Sequence, residues 1–355
     1  MKKKIFAIVM ALLMLCSCSI GKRDVYLYGE DHDIKPIYNE ELNILRDYYK
    51  KGGRNYFLES PHYCAQYLNL WMKSDNDEYL NKMYDFFKEY GNYDYDYTIE
   101  FYKTIKKEMN DIRFYGVDVG HAYDIIGKDY LKLAKEKGDK EDIELTEKAI
   151  EQGKNFYGKE KVDHLKASEY RDKMMAENFM NTYNRTKGDV IGFFGLAHID
   201  GIGYVNDNMT KIIQDKIKNL HTVNLLKSKN LKPISTEKIT YNGREFEADY
   251  YGIISHKYST YPHEKLYRIK DKEYFKDFTT TGYNQSFLYN FSFEKGDIIL
   301  TRQYNDKDQE DVVVRVTSDG TEKLFLVDYI QPKQFNYEQR WTKKLIAVFV
   351  FSIWV

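Results

Sequence analysis

The sequence has few cysteines and few prolines. It contains 3 cysteines, Cys16, Cys18 and Cys64, and 5 prolines in 355 residues. The first two cysteines lie at the end of an apolar amino-terminal segment, which leaves Cys64 alone in the rest of the chain. A single cysteine forms neither an internal disulfide nor a Cys-rich metal cage. The core must therefore come from packing, and the chain is long enough for one large domain or two smaller ones.

The sequence also lacks an excess of either charge. Its 54 Lys and Arg residues nearly balance its 55 Asp and Glu residues, which gives a net charge of −1. Loss of the three lysines at positions 2–4, with the signal segment described below, would bring the net charge to about −4. A surface that binds nucleic acid needs basic residues to neutralise phosphates. We therefore expect no nucleic-acid partner.

No apolar run is long enough to cross a bilayer, which takes about 20 residues. After the lysines at 2–4, residues 5–15 form an apolar run of 11 residues, and residues 15–18 read Leu-Cys-Ser-Cys. A basic start with a short apolar run is typical of an export signal. The last four residues resemble the lipobox of bacterial lipoproteins, which has a branched apolar residue three positions before its cysteine and a small residue directly before it.

Cys18 satisfies both lipobox positions and Cys16 does not. We therefore predict a lipoprotein signal peptide over 1–17, a diacylglycerol on Cys18, and a membrane-anchored chain that faces the extracytoplasmic side. An ordinary secretory signal with two incidental cysteines is the alternative. The remaining chain is divided into predicted segments at 18–231, 232–342 and 343–355.

Short β-prone segments alternate with longer amphipathic segments from residue 24 onward. The predicted strands cover 25–28, 55–58, 112–117 and 190–194, with a fifth candidate at 222–226, and helical periodicity extends over 39–50, 65–88 and 163–185. Such alternation is typical of a parallel sheet covered by helices on both faces. We therefore predict an α/β domain with a largely parallel, helix-flanked sheet over 18–231.

Hairpin signals replace helical periodicity after about residue 232. Asn242-Gly243 and Asp319-Gly320 each separate two β-prone segments, as tight turns do. They predict a β-rich region over 232–342, a small barrel or sandwich, in which no catalytic motif stands out. The apolar tail 343–355 would cover only about 16 Å as a helix. It suits a buried strand, and a truncated membrane span is the alternative.

Polar residues end each of the four main predicted strands. The first strand runs into Gly-Glu-Asp-His at 29–32, and the fourth runs into Gly-Leu-Ala-His at 195–198. Glu59 follows the second strand and Asp118 follows the third. Since ligands bind parallel sheets beyond the carboxyl ends of the strands, all four segments should meet at one rim.

The two Gly-x-x-His motifs predict that His32 and His198 flank one water molecule or one metal ion. A carboxylate at the same rim can bind a hard cation, act as a general base, or orient an imidazole. Glu59 and Asp118 are placed for such roles. Asp31 adds a further oxygen beside the first imidazole.

Arg171 lies in a predicted helix and shares a face with Met174 and Met175. An inward guanidinium needs a carboxylate or an anionic ligand, so Arg171 should pair with Glu59 or polarise a substrate carbonyl. Each residue also has a structural interpretation without a catalytic role. A histidine at a strand end is often structural, and Glu59 can cap the helix that follows. An arginine often makes a surface ion pair. Their joint placement favours one functional centre.

These motifs together resemble one superfamily, which contains erythromycin esterases, ChaN-like haem-binding lipoproteins, TraB-type proteins and Tiki metalloproteases. The resemblance covers roughly 25–226 and rests on the two Gly-x-x-His motifs, Glu59, Gly-Val-Asp at 116–118 and Arg-Asp-x-x-Met at 171–175. It implies an α/β fold with its site at one rim. The residues it implies as catalytic are Glu30, His32, Glu59, Arg171 and His198, and it also allows His32, His198 and Glu59 to bind a divalent metal such as Mn, Co or Zn. Asp31 replaces a threonine common in erythromycin esterases, which puts a macrolide substrate in doubt.

Two functions of different class follow from this reading. The first is a hydrolase of ester or amide bonds in a small molecule or peptide, in which His32 activates water with Glu30 or Glu59, while Arg171 and His198 stabilise the oxyanion. No Gly-x-Ser-x-Gly elbow is present, which argues against a serine nucleophile. The alternative is a haem-binding surface lipoprotein, with Tyr63, Tyr115 and Tyr123 as the candidate iron ligands. A third hypothesis is a scaffold protein that has kept the fold and lost the catalytic activity.

Overall fold

The structure is a computed structural model. It describes residues 23–32, 35–90, 96–160, 163–200, 207–227, 232–241, 243–255, 263–275, 296–304, 310–318 and 324–330. The predicted signal peptide with Cys18 and the apolar tail at 343–355 lie outside these residues. Within the described ranges, no helix combines the length and the apolar character needed to cross a membrane.

Strands and helices alternate through the first two thirds of the chain. The strands are β1 (Val25–Glu30), β2 (Asn55–Pro61), β3 (Arg113–Asp118), β4 (Val190–Gly195) and β5 (Leu220–Asn224). The helices are α1 (Lys35–Lys50), α2 (His62–Met72), α3 (Glu78–Tyr90), α4 (Asp96–Glu108), α5 (Lys128–Lys137), α6 (Lys140–Glu160), α7 (His164–Arg185), α8 (Leu196–Asp200) and α9 (Met209–Ile213). A π-helix, Tyr123–Gly127, follows β3.

The first five strands form one sheet in the order β3-β2-β4-β1-β5, and each neighbouring pair is parallel. Side chains alternate between its two faces. Tyr56 and Phe193 pack with the buried residues of α1 to α5, whereas Phe57 and Phe194 pack with Phe179 of α7 and its neighbours on the opposite face. The prediction of a parallel sheet flanked by helices is confirmed.

The helix predicted over 65–88 is divided in the structure. It forms α2 and α3, which are separated by the polar segment 73–77. The indole of Trp71 donates to Asp77 at 2.9 Å, and the side chain of Asn76 accepts from the backbone N–H of Glu78 at 3.0 Å. These contacts close α2 and start α3, so local side-chain bonding outweighs the continuous helical periodicity.

A second sheet occupies the carboxy-terminal region. Its strands are β6 (Ser235–Tyr241), β7 (Arg244–Ser255), β8 (His263–Ile269), β9 (Ile298–Tyr304), β10 (Glu310–Ser318) and β11 (Leu324–Ile330). Each strand pairs antiparallel with the next along the chain, so the sheet is a meander. The prediction of a β-rich region is confirmed. Tyr251, Leu266 and Ile299 belong to the same apolar core as α1 and α2, which joins this sheet to the first domain.

Helix α6 crosses close to the loop that follows β3. A Cβ atom added to Gly153 of α6 would lie 2.1 Å from the backbone oxygen of Gly120. A Cβ added to Gly120 would lie 2.3 Å from the backbone oxygen of Ala149. Only glycine permits this approach of two backbones. The contact therefore fixes the loop that begins at the end of β3.

We expect Gly153→Ala to destabilise the chain by about 1–3 kcal/mol, because the added methyl group must push backbone apart. Gly158→Ala in the same helix is the matched control, since none of the described residues lies within 4 Å of a Cβ added there. That control should be stabilising by up to about 1 kcal/mol, because alanine favours a helix interior more than glycine does. Urea unfolding of both variants measures the difference, and equal midpoints would contradict the close-packing argument.

Candidate active site

The register of the parallel sheet brings the predicted motifs to one rim, formed by the carboxyl ends of the strands. Glu30 at the end of β1 lies opposite Gly195 at the end of β4. On β2 and β3, Pro61 lies opposite Asp118. The two Gly-x-x-His motifs therefore leave the sheet side by side. Strand β2, which carries Glu59, lies next to β4.

A bulge in β2 directs the side chain of Glu59. Leu58 pairs with Gly116 and Pro61 pairs with Asp118, so β2 has one more residue than β3 between these two pairs. Bulges of this kind bend a strand and re-aim its side chains. A Cβ added to Gly116 would lie 2.2 Å from the oxygen of Pro61, so the bulged backbone packs directly on this glycine.

Arg171 of α7 lies at the centre of the site and is 7% exposed. Its Nη2 donates to Glu59 Oε1 at 2.6 Å and to Asp118 Oδ2 at 2.7 Å, and its Nε donates to Asp118 Oδ1 at 3.1 Å. Both carboxylates are buried as well. The guanidinium therefore joins α7 to the ends of β2 and β3.

The carboxylate of Glu59 is the meeting point of the motifs. Its Oε2 accepts from the backbone N–H of Gly195 at 2.5 Å. Its Oε1 lies 3.3 Å from His198 Nε2 and 3.9 Å from His32 Nε2. A Cβ at Gly195 would lie 3.3 Å from Glu59 Oε2 and 3.5 Å from His32 Nε2. Glu59 therefore makes these contacts rather than capping α2, whose N-terminus at Pro61 has no side-chain cap.

Each imidazole has its own carboxylate. His32 Nδ1 contacts Glu30 Oε1 in a short ion pair, and His198 Nδ1 lies 2.8 Å from Asp172 Oδ1. The two dyads differ in exposure: the His32 side chain is 30% exposed, whereas that of His198 is 10% exposed. His32 is thus the imidazole of this group that a ligand in solvent can reach.

We call Glu30, His32, Glu59, Asp118, Arg171, Asp172 and His198 the charged cluster. Burial by itself raises the pKa of Glu59, but the positive charges of His198 and Arg171 outweigh it and hold that pKa well below its usual range. The charge of Arg171 outweighs burial at Asp118 as well, and holds the pKa of that carboxyl well below its usual range. Burial lowers the pKa of Arg171, yet Asp118 and Glu59 raise it above its usual range. All three side chains therefore stay ionised at neutral pH.

The two imidazoles of the cluster hold their protons more tightly than usual. Burial lowers the pKa of His198, but the charge of Glu59 and the hydrogen bond to Asp172 raise it to about 9. Burial also lowers the pKa of His32, and the charges of Glu30 and Glu59 raise it well above its usual range. Both imidazoles are therefore protonated at rest near neutral pH.

Asp31 lies beside the cluster, at the end of β1. Burial and the charge of Glu30 raise its pKa to about 6, against the opposing charge of His32. Within the described residues, no ion pair links Asp31 to Arg171 or to His198. Its predicted supporting role is therefore confined to the surroundings of His32.

The structure adds residues that sequence reasoning did not select. Asp172 binds His198 and also accepts from the backbone N–H of Met209 at 2.8 Å. His121 binds Asp118 at 2.8 Å. The Asp-x-x-His spacing of 118–121 was a signal that could have found this pair. Nothing local in the sequence indicated that Asp172 on α7 would meet the second Gly-x-x-His motif.

A buried acid on α1, Glu41, was also missed. It is 1% exposed, and burial, reinforced by the charge of Glu30, raises its pKa well above its usual range. Among the described residues, neither Glu41 Oε1 nor Glu30 Oε2 has a hydrogen-bond partner. Burial therefore favours the protonated form of Glu41. In the sequence, the position of Glu41 between Ile37 and Leu45 on the apolar stripe of α1 was the feature that could have indicated its burial.

The residues present do not fit a metal ion. In the part of the chain that the structure describes, no group of three or more His, Cys, Asp or Glu side chains is arranged to hold one. For the predicted set of His32, His198 and Glu59 the reason is electrostatic. The Glu59 oxygen that both imidazoles approach is the oxygen that Arg171 binds, and a guanidinium there repels a cation. No catalytic role is therefore proposed for a Mn, Co or Zn ion.

The tyrosines named as candidate haem ligands do not converge. Tyr63 is fully buried and its hydroxyl donates to the backbone oxygen of His121 in a short hydrogen bond. Tyr115 packs with Phe57 on one face of the sheet, while Tyr63 and Tyr123 belong to the core on the other face. No shared tyrosine ligand set for haem results from these positions.

Two cavities lie away from His32. One, of about 290 Å³, lies between α2, α6 and α7 over β3 and is lined by polar residues that include His62, Asp142 and Asn178. The other, of about 990 Å³, lies at the opposite end of the sheet, near Arg54 and Asp189. The first cavity includes Asp118 of the charged cluster in its lining, but neither cavity is lined by His32 or His198.

Comparisons with known proteins leave the family open. No family model matches the chain, and no curated protein matches its sequence. Structural neighbours include a succinoglycan biosynthesis protein (TM-score 0.41, 14% identity, 64% of this chain and 71% of that one) and a Bacillus cereus protein (TM-score 0.43, 12% identity, 86% of each chain). Another is ChaN of Campylobacter jejuni, described with cofacial haem binding (TM-score 0.35, 16% identity, 57% of this chain and 81% of that one). With every TM-score below 0.5, these likenesses assign no function to the chain.

The raised pKa of His198 predicts a loss of stability at alkaline pH. Because its folded-state pKa of about 9 lies above the unfolded value of 6.5, its contribution is complete below about pH 6.5 and is lost as the pH rises through about 9. From about pH 6 to about pH 10, the wild type should lose about 2–3 kcal/mol more than His198→Gln. Urea unfolding across this range measures both proteins. Parallel pH curves would contradict the assignment of the shift to His198.

Proposed function

We propose that the chain is a hydrolase of ester or amide bonds in which His32 transfers the proton. The observation that carries this proposal is the Glu30–His32 dyad. Its imidazole is 30% exposed, its Nδ1 is held by a buried carboxylate, and its Nε2 faces Glu59. A base oriented by a carboxylate, next to a fixed group of charges, is the arrangement that general acid–base catalysis requires.

Glu30 determines which imidazole nitrogen is the base. A carboxylate only accepts hydrogen bonds, so His32 carries a proton on Nδ1 and its neutral form is basic at Nε2. In the proposed reaction, Nε2 takes a proton from the attacking water and later gives it to the leaving group. Because His32 is protonated at rest, the active base form increases as the pH rises through its raised pKa.

His198 and Arg171 have different parts in this proposal. His198 is cationic at neutral pH and lies 3.3 Å from Glu59, so it supplies a fixed positive charge beside that carboxylate, in place of the oxyanion contact considered from the sequence. Arg171 is buried, and Glu59 and Asp118 accept its hydrogen bonds. We therefore treat Arg171 as a positioning residue that fixes Glu59, in place of the direct role on the substrate carbonyl considered from the sequence.

Haem capture receives no support from the described side chains, since the candidate tyrosines do not converge on one site. Haem binding is the alternative hypothesis to test if no hydrolase activity is found. Titration of the purified chain with haemin separates the two. A Soret band that persists in His32→Ala, in a protein without hydrolytic activity, would replace the hydrolase with haem binding.

We also propose that the mature chain is attached to the outer face of the cell membrane through a lipid on Cys18. The support is the basic start, the apolar run 5–15 and the match of Leu15 and Ser17 to the lipobox positions. An enzyme anchored in this way would act on substrates outside the cytoplasm, either small molecules or peptides.

The hydrolase proposal predicts that Glu30→Gln moves the pH dependence of activity. Neutralising Glu30 removes a charge that raises the pKa of His32, so the rising limb of kcat/KM should shift to lower pH. In His32→Ala the rate should fall by about 10²–10⁴-fold at all pH values. The measurement uses full-length chain in detergent with a series of p-nitrophenyl esters and a fluorogenic peptide amide.

His221→Ala is the matched control for this experiment. His221 is an exposed histidine that is also paired with an acid, Asp24. It belongs to edge strand β5 and pairs opposite Tyr26, well before the end of β1. Its loss should leave kcat/KM unchanged. The proposal fails if His32→Ala retains wild-type activity. It also fails if the wild type hydrolyses none of the esters, nor the peptide amide, faster than His32→Ala does.

The anchoring proposal predicts that Cys18→Ser abolishes lipid attachment, whereas Cys16→Ser does not. Metabolic labelling with an alkynyl fatty acid, followed by mass spectrometry of the amino-terminal peptide, measures both variants. The Cys16→Ser variant serves as the control for expression and export. Equal labelling of the two variants would contradict a lipobox at 15–18.

A further inference from the structure

A second group of acid–base side chains extends from the charged cluster. His121, in the loop after β3, binds Asp118 Oδ2 through Nε2 at 2.8 Å and the hydroxyl of Tyr157 through Nδ1 at 2.9 Å. We call Asp118, His121 and Tyr157 the phenol triad. The proposed hydrolytic centre uses Asp118 only as a partner of Arg171, so His121 and Tyr157 have no part in it.

The hydrogen bonds determine the proton positions in the phenol triad. Asp118 is ionised, because the charge of Arg171 holds its pKa well below the usual range despite burial. A carboxylate only accepts, so His121 Nε2 carries the proton and donates to it. In the neutral imidazole, Nδ1 is then the acceptor and the Tyr157 hydroxyl is the donor. An acid thus orients a base, and the base accepts from a hydroxyl, which is the order of groups in a nucleophilic triad.

The fold holds His121 in place through several independent contacts. Ala122 has φ 52°, a left-handed conformation that is uncommon for a residue with a side chain. It starts a π-helix, an element often found at functional sites. The backbone oxygen of His121 accepts from Tyr63, and Gly120 lies against Ala149. Strain at this position, together with buried contacts, points to a functional constraint on the imidazole.

The residues of the phenol triad differ in exposure. His121 is 3% exposed, whereas the Tyr157 side chain is partly exposed at the edge of a small apolar cluster. The ring of Tyr123, which is also partly exposed, lies 6.2 Å from the Tyr157 ring. The triad therefore runs from a buried carboxylate, through a buried base, to a partly exposed tyrosine.

We propose that the phenol triad is a second reactive site, in which His121 activates the Tyr157 hydroxyl as a nucleophile toward acyl donors. The phenol oxygen bonds to the acyl carbon while His121 Nδ1 takes the phenol proton. With N-acetylimidazole as the donor, the bond from the acyl carbon to nitrogen breaks and the departing imidazole takes the proton from His121. The product is an acetyl ester on Tyr157, and His121 returns to its neutral form.

Acetylation of the full chain by N-acetylimidazole tests the proposal. Mass spectrometry of the peptides gives the rate at each tyrosine. Tyr123 is the matched comparison, because it is a partly exposed neighbour whose hydroxyl is bonded to no histidine among the described residues. Tyr157 should be acetylated about 10-fold or more faster than Tyr123, since general-base assistance is worth at least that much. In His121→Gln, whose amide can still donate to Asp118, the Tyr157 rate should fall to that of Tyr123.

Two results would overturn the proposal. One is a Tyr157 rate no greater than that of Tyr123 in the folded wild type, a comparison that needs no variant and holds even if His121→Gln fails to fold. The other is an unchanged Tyr157 rate in a folded His121→Gln protein, with folding checked by thermal unfolding. Because labelling at Tyr157 is measured directly, neither result depends on whether the chain hydrolyses esters or amides at His32.

Discussion

The pairing of Arg171 with two buried carboxylates is the constraint on which the rim depends. Glu59 and Asp118 end neighbouring strands, and without a cation between them two negative charges would face each other in the interior. Removing one partner from a buried ion pair costs about 3–5 kcal/mol. The guanidinium bridges both acids through a planar fork, which a lysine ammonium cannot reproduce. Arg171 thereby fixes α7 against β2 and β3.

The balance of charge around Arg171 explains the behaviour of the histidines. Its single positive charge is shared by two carboxylates, so negative charge remains at Glu59, and Asp172 and Glu30 add more. His32 and His198 retain protons to offset it. The cluster is therefore a set of fixed carboxylates with mobile protons on the two imidazoles. This is why acid–base chemistry, and not cation binding, suits the rim.

Much of this arrangement could be predicted because it follows from strand ends. Parallel strands bring their carboxyl ends together, so residues at the carboxyl ends of β1, β2, β3 and β4 had to meet. The pairing of Asp172 with His198 depends on helix docking and could not be predicted. The bulge that directs Glu59 depends on the local path of β2 and could not be predicted either. The continuous helix expected over 65–88 failed for a related reason, since polar contacts around Trp71 outweigh periodicity.

The two Gly-x-x-His motifs have the same spacing but different partners, and this difference decides their roles. Glu30 precedes His32 by two positions, so the first dyad is encoded within one short segment. The second dyad forms only when α7 brings Asp172 to His198, and the start of α9 then binds the same carboxylate oxygen through Met209 N–H. Those contacts bury His198 and leave it little freedom to meet a ligand. The locally formed, more exposed dyad is therefore the one suited to proton transfer, and the buried dyad is suited to holding charge.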